Sequence, residues 1–260
     1  SAPQPTLSLN AGIHTVNIPF TFFKGESSFN VNIPYIYTIQ KAPLIVKADS
    51  ITRLYGENNP HFTISYRGFI NGEDESVLTN KGNATTLADI KSDVGNYDIN
   101  VSEVIADNYE AQYETGTICI QKAPLIVTVH NTTKIYGDDN PSFPMSYSGL
   151  KNNETAPEMV IPFEISTDAT KTSNVGKYDI KVSGGETKNY EITDYILGNL
   201  IVKKAPLAIS ADNSTKIYGD DNPKFVFSCM GLKNDDVKNS IFSTYPILSC
   251  SATNESDAGD

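Results

Sequence analysis

The chain has 260 residues, 39% of them hydrophobic, and a formal net charge of −11 from 31 acidic and 20 basic side chains. That balance repels phosphate backbones and anionic lipid heads, so nucleic acid is excluded as an expected partner. The longest apolar runs, such as Pro43–Val46, fall far short of the roughly 18–20 residues a membrane-spanning helix needs, and no span is predicted in this segment.

No basic, apolar signal peptide opens the sequence, although Ser1–Asn10 reads as the start of a processed or excised segment. Asn10–Val16 (NAGIHTV) aligns with Asp93–Ile99 (DVGNYDI), and Ile33–Pro43 aligns with Glu114–Pro124. Residues 1–40 therefore read as the C-terminal half of a preceding module.

Complete modules follow over 41–121 and 122–203. KAPLIV opens at Lys41 and Lys122 and KAPLAI at Lys204, spacings of 81 and 82 residues, and 14 of 20 positions agree between Lys122–Pro141 and Lys204–Pro223. Self-similarity at a fixed period decides the architecture before any single strand does. Inside each copy, PLIVKADS is a short Ile- and Val-rich run, while HFTISYRG and NYDINVS alternate apolar and polar residues. Five to seven strands per module are expected. One short helical turn is predicted in the polar stretch Gly72–Asn80, and Tyr55, Phe62, Tyr66 and Tyr97 are the expected aromatic core. The chain closes on 204–260, the N-terminal part of a further, truncated module, because Glu255–Asp260 aligns with Lys91–Asn96.

Each copy carries one acidic turn: RLYGENNP at Arg53–Pro60, then KIYGDDNP at Lys134–Pro141 and again at Lys216–Pro223. Two readings compete. Asp138, Asp139, Asp220 and Asp221 offer hard oxygens to calcium, but the first copy keeps one carboxylate where the others keep two, and no D-x-D-x-D-G ladder is present. Tyr55, Gly56 and Pro60, Tyr136, Gly137 and Pro141, and Tyr218, Gly219 and Pro223 are shared by all three, which is turn chemistry: glycine for positive φ, Asn bonding its own backbone, proline starting the next strand.

Other chemistry is sparse. His14, His61 and His130 occupy different module positions, and no nucleophile, zinc or phosphate-loop motif occurs, so no enzyme and no cofactor are expected. Cys119, Cys229 and Cys250 read as core residues, or Cys229 and Cys250 as a bridge in an oxidising compartment. Sequons at Asn83, Asn100, Asn131, Asn153, Asn213 and Asn254 matter only in a host that glycosylates. Tyr35, Tyr37, Tyr113 and Tyr195 vary among copies and are the better candidates for exposed contact.

In order, K-A-P-L-x-V, K-x-Y-G-D-x-N-P, V-G-x-Y-x-I, N-Y and a last strand ending in K-A-P resemble the YGX-type MBG domains repeated in large bacterial surface and secreted proteins of adhesin type. The likeness covers 41–203 fully and the two flanks in part. His14 stands where Tyr97 and Tyr178 do, and Cys229 replaces Tyr66 and Tyr147. The resemblance implies an extracellular location and small, mainly β, β-grasp-like or sandwich-like modules without catalytic residues to carry over.

Proline fixes the backbone at each junction and no Gly/Ser linker intervenes, so modules are expected end to end as a stiff rod. The first functional reading is a stalk or spacer whose partners are neighbouring modules. Two alternatives stand beside it: a binder of host or matrix glycan or protein through Lys151–Met159 or Ala84–Asp93, and a fibre subunit completed head to tail by other copies through its half modules.

Overall fold

A computed structural model describes residues 10–259. Ser1–Leu9, most of the segment read as processed, lies outside the described residues. Two units divide the chain: the first runs to Ala123 and takes in Lys151–Glu154 and Lys188–Tyr190, and the second holds Pro124–Leu150, Thr155–Thr187 and Glu191 onward.

The first unit begins with a long antiparallel hairpin, β1 (Gly12–Lys24) and β2 (Ser27–Ile39). Seven strands of one module follow: β3 (Ala42–Ala48), β4 (Ile51–Leu54), β5 (Ile64–Arg67), β6 (Leu78–Thr86), β7 (Gly95–Ala106), β8 (Tyr109–Glu114) and β9 (Gly116–Gln121). They form a three-stranded sheet in the order β5-β3-β8 and a four-stranded sheet in the order β4-β9-β7-β6. Strand β3 touches β7 and β9, so the two sheets share a core. Its period-2 alternation turns Leu44, Val46 and Ala48 inward at 0% exposure, against Ile99, Ile118 and Ile120. Of the two architectures expected, the two-sheet sandwich is the one formed.

First and last strands of the module run side by side. Strand β3 pairs with β8 in parallel and β4 pairs with β9 in parallel, so both segments leave one sheet for the other at the same level. That crossing needs a residue without a side chain. A Cβ on Gly116 would sit 2.3 Å from the Ala48 carbonyl oxygen.

The second unit repeats the plan with β10 (Ala123–Val129), β11 (Thr132–Ile135), β12 (Met145–Ser148), β13 (Met159–Thr167), β14 (Gly176–Thr187), β15 (Tyr190–Leu197) and β16 (Asn199–Lys203), in sheets ordered β12-β10-β15 and β11-β16-β14-β13. Leu125, Val127, Val129, Ile180, Leu200 and Val202 fill its core. A smaller sheet of β17 (Ala208–Ala211) and β18 (Phe227–Met230) precedes a one-turn helix, α1 (Lys238–Ile241).

Seven strands in each complete module meet the upper expectation. The predicted helical turn in Gly72–Asn80 is a 3-10 turn at Glu75–Val77, capped by Asp74, whose side chain accepts from the Ser76 amide. Its counterpart in the second module is a plain turn, and in the third it is α1. The aromatic core differs from expectation. Only Tyr55 of the four named is fully buried, at 5% exposed, while Phe62, Tyr66 and Tyr97 are half-buried. Aliphatic side chains fill the sandwich, and the other buried tyrosines, Tyr109 and Tyr190, come from the N-Y pair after β7 and β14.

Candidate functional site

The tyrosine–glycine turn is held from below by a basic residue and an asparagine. Arg53, 5% exposed, donates from Nε to Asn59 Oδ1 at 2.8 Å and from a terminal nitrogen to the Asp89 carbonyl. Asn59 Nδ2 donates to the Ala88 carbonyl at 2.6 Å. In the second copy Lys134 Nζ reaches the Thr170 carbonyl at 2.6 Å and Asn140 reaches that of Ala169 at 2.7 Å; in the third, Lys216 and Asn222 reach Thr253 and Ala252, each at 2.6 Å. The asparagine therefore bonds a distant loop and not its own backbone. Nor do the prolines begin strands: β5, β12 and β18 start only at Ile64, Met145 and Phe227.

What the turn presents is clearest in the first unit. Tyr55 Oη donates to Glu154 Oε1 at 2.5 Å, and Tyr190 Oη donates to Oε2 of the same carboxylate at 2.6 Å while accepting from the Lys151 amide at 2.9 Å. The two rings meet edge to face, centroids 5.4 Å apart. Gly56, at φ +75°, lies flush against Lys151, whose Cβ would be 2.3 Å from a Cβ added there. Asn189 completes the site: its Oδ1 accepts from the Val94 amide at 3.0 Å and its Nδ2 donates to Asp93 at 2.8 Å, with Lys188 3.0 Å from the same carboxylate. Burial, then the bond to Glu154, raises both the Tyr190 and the Tyr55 phenols above their usual value, and the Asn189 bond, then Lys188, lowers the Asp93 carboxyl.

Parts of the same constellation recur. Asn108 Oδ1 accepts from the Ala11 amide at 2.7 Å, and Tyr109 donates to Glu73 Oε2 and accepts from the Ile70 amide at 3.1 Å. No tyrosine–glycine turn is seated there, and a cavity of about 160 Å3 lies among Ala11, Ile39, Ile70, Glu73, Asn108 and Tyr109. In the second unit Tyr136 lines a cavity of about 360 Å3 with Leu232, Lys233 and Asp236, the last standing where Glu154 does. A Cβ on Gly137 would lie 2.5 Å from that of Lys233. Tyr218 is 64% exposed, and a Cβ on Gly219 would meet nothing within 4 Å.

The remaining residues singled out from sequence do not converge on one centre. Asp138 pairs with Lys233 at 3.2 Å and Asp139 with Lys171 at 3.7 Å. Among the described residues no group of three His, Cys, Asp or Glu side chains is arranged to hold a metal, Asp220 and Asp221 included. Cys229 and Cys250 stand as free thiols, as does Cys119. All six sequon asparagines are exposed. Tyr35, Tyr113 and Tyr195 are exposed and Tyr37 is half-buried, so these tyrosines do stand toward solvent. Sequence reasoning missed Glu154, Asn189 and Tyr190; the signal was there in the recurring N-Y-E string and in a carboxylate at 73, 154 and 236.

A family model described as MBG domain (YGX type) matches residues 44–118, 125–201 and 207–260. No curated protein matches the chain.

Proposed function

Because this chain belongs to the family of YGX-type MBG domains, we propose that it is a non-enzymatic spacer, a stiff stalk segment of an extracellular adhesin-type surface or secreted protein. The MBG repeats are consistent with a repeat segment of a surface protein. The family resemblance is the support for an extracellular setting, and the exposed sequons are compatible with it. One observation carries the spacer reading: the most built polar cluster, Tyr55 with Glu154, Asn189 and Tyr190, joins residues of successive repeats through hydrogen bonds of its own. A tyrosine pair sharing one carboxylate holds the Tyr55 turn closely against Glu154, since charge-assisted hydrogen bonds are short and directional. Rigidity is what a stalk of this kind would supply, with additional modules adding length.

The competing reading, a binder of glycan or protein through Lys151–Met159 or Ala84–Asp93, is weakened by the same contacts. Lys151 and Glu154 are engaged by the Tyr55 turn, and Ala88, Asp89 and Asp93 are engaged by Asn59, Arg53 and Asn189. Small-angle scattering from the dilute full chain tests the spacer directly. A stiff elongated particle is expected, with Tyr55→Ala broadening its distance distribution at unchanged far-UV circular dichroism; a wild-type chain as flexible as the variant overturns the reading. Specific, saturable capture by a glycan array would favour the binder.

A further inference from the structure

We propose that the first module carries a saccharide site on its flank, a groove that takes a neutral, hydroxyl-rich sugar between the Glu75–Lys81 pair and the rings of Phe62 and Tyr66. It lies within the first unit and uses none of Tyr55, Glu154, Asn189 and Tyr190.

Three segments build the groove. The stretch after the first tyrosine–glycine turn brings His61 and Phe62, strand β5 brings Tyr66, and the 3-10 turn and β6 bring Glu75, Lys81 and Asn83, around a volume of about 470 Å3. That is the size of site in which small molecules bind.

Its walls are held in place by the protein's own contacts. Tyr66 donates its hydroxyl to the Lys81 carbonyl and its ring leans on Phe69, centroids 6.2 Å apart, while Lys81 Nζ donates to Glu75 Oε1 at 2.9 Å with both side chains more than half exposed. A groove already ordered costs a ligand less on binding. Between Lys81 and Asn83 the wall is bare backbone, because Gly82 has φ +86° and a Cβ there would lie 2.5 Å from Val104 Cγ2 and 2.8 Å from the Ser102 carbonyl oxygen. No other residue fits that place without strain.

The chemistry of the lining selects the ligand. Glu75 accepts, Lys81 donates and the Asn83 amide does both, so the groove suits a partner whose groups also donate and accept, and a hydroxyl is such a group. Lys81 is neutralised by Glu75 and the chain carries a net charge of −11, which disfavours an anion. Phe62 and Tyr66, both half-buried, supply the apolar ring surface against which the C–H side of a sugar packs.

The second module is an internal control. Ala156, Pro162, Phe163 and Glu164 stand where Glu75, Lys81, Gly82 and Asn83 do, so the ion pair is missing and a ring replaces the bare glycine. The site belongs to one copy and is added to the shared fold.

Saturation-transfer NMR on the full chain tests this, with cellobiose, lactose, maltotriose and mannobiose as neutral probes and sialyllactose as the anionic one. Saturable binding of at least one neutral probe is expected, with a dissociation constant of about 10 mM or tighter. Changing Glu75→Ala and Lys81→Ala together leaves neither charge unpaired, so the dichroism spectrum should hold while affinity falls at least about tenfold, the scale of one lost charge-assisted hydrogen bond. Changing Asp168→Ala and Lys181→Ala, an exposed pair of the second module at 2.8 Å, should leave affinity unaltered. The proposal is overturned if no neutral probe binds up to about 20 mM, if sialyllactose binds in their place, or if both paired variants lose affinity equally. Binding that survives the Glu75 and Lys81 changes also overturns it, and passes to the 84–93 or 151–159 loops of the competing reading. The stalk reading is judged by scattering from the chain without sugar and survives either result.

Discussion

Two turns with the same Tyr-Gly pair behave differently. Tyr55 is 5% exposed and shares Glu154 with Tyr190, whereas Tyr218 is 64% exposed with nothing near its glycine. Both are clamped from below by a basic residue and an asparagine. The turn is therefore folded locally, and the burial of the first one comes from the 151–154 and 188–190 segments that meet it. A residue can belong to one repeat by sequence and to another by energetics.

The comparison breaks first at the tyrosines. Tyr55→Ala empties a buried site and orphans half of a carboxylate, so a loss of about 3 kcal/mol or more is expected in urea unfolding of the first unit. Tyr218→Ala in dilute solution should stay within about 0.5 kcal/mol of wild type. Equal losses would mean that Tyr55 acts through its own module.

Glycine substitutions sharpen the contrast at smaller scale. Gly56→Ala and Gly219→Ala both force an L side chain into positive φ, at about 1–2 kcal/mol. Only Gly56→Ala also drives a methyl into Lys151, adding about 1–3 kcal/mol of overpacking. The difference between their urea midpoints reads the neighbour alone.

The smallest effect is one of pH. The raised phenol of Tyr190 favours the neutral, folded form, a contribution fully present below the unfolded phenol value of about 10 and lost as pH rises through the folded value above it. Stability of the first unit should begin to fall above about pH 10, and Tyr190→Phe should flatten that part of the profile. An unaltered alkaline limb in Tyr190→Phe would assign the loss to other groups.

Most of the fold was legible because a repeat compares itself. The alternation of Leu44, Val46 and Ala48 and the recurrence of the repeat needed no coordinates. The site was half legible. Three copies pointed to Tyr and Gly as constraints, but their reason lies 99 residues away at Glu154, and no local pattern reports a partner in the next repeat. The role of Arg53 and Lys134 was missed for a related reason: a basic residue before a turn reads as surface charge until its carbonyl partners, 36 residues on in sequence, are seen to bury it.

The parallel pairing of each module's first and last strands has a mechanical meaning. The chain enters at Ala42 and leaves at Gln121 from opposite ends of that paired ribbon. Tension between those points slides β3 and β4 along β8 and β9, loading all the cross-strand hydrogen bonds together and not peeling them one at a time. Such a module is expected to resist until its pairs give way together.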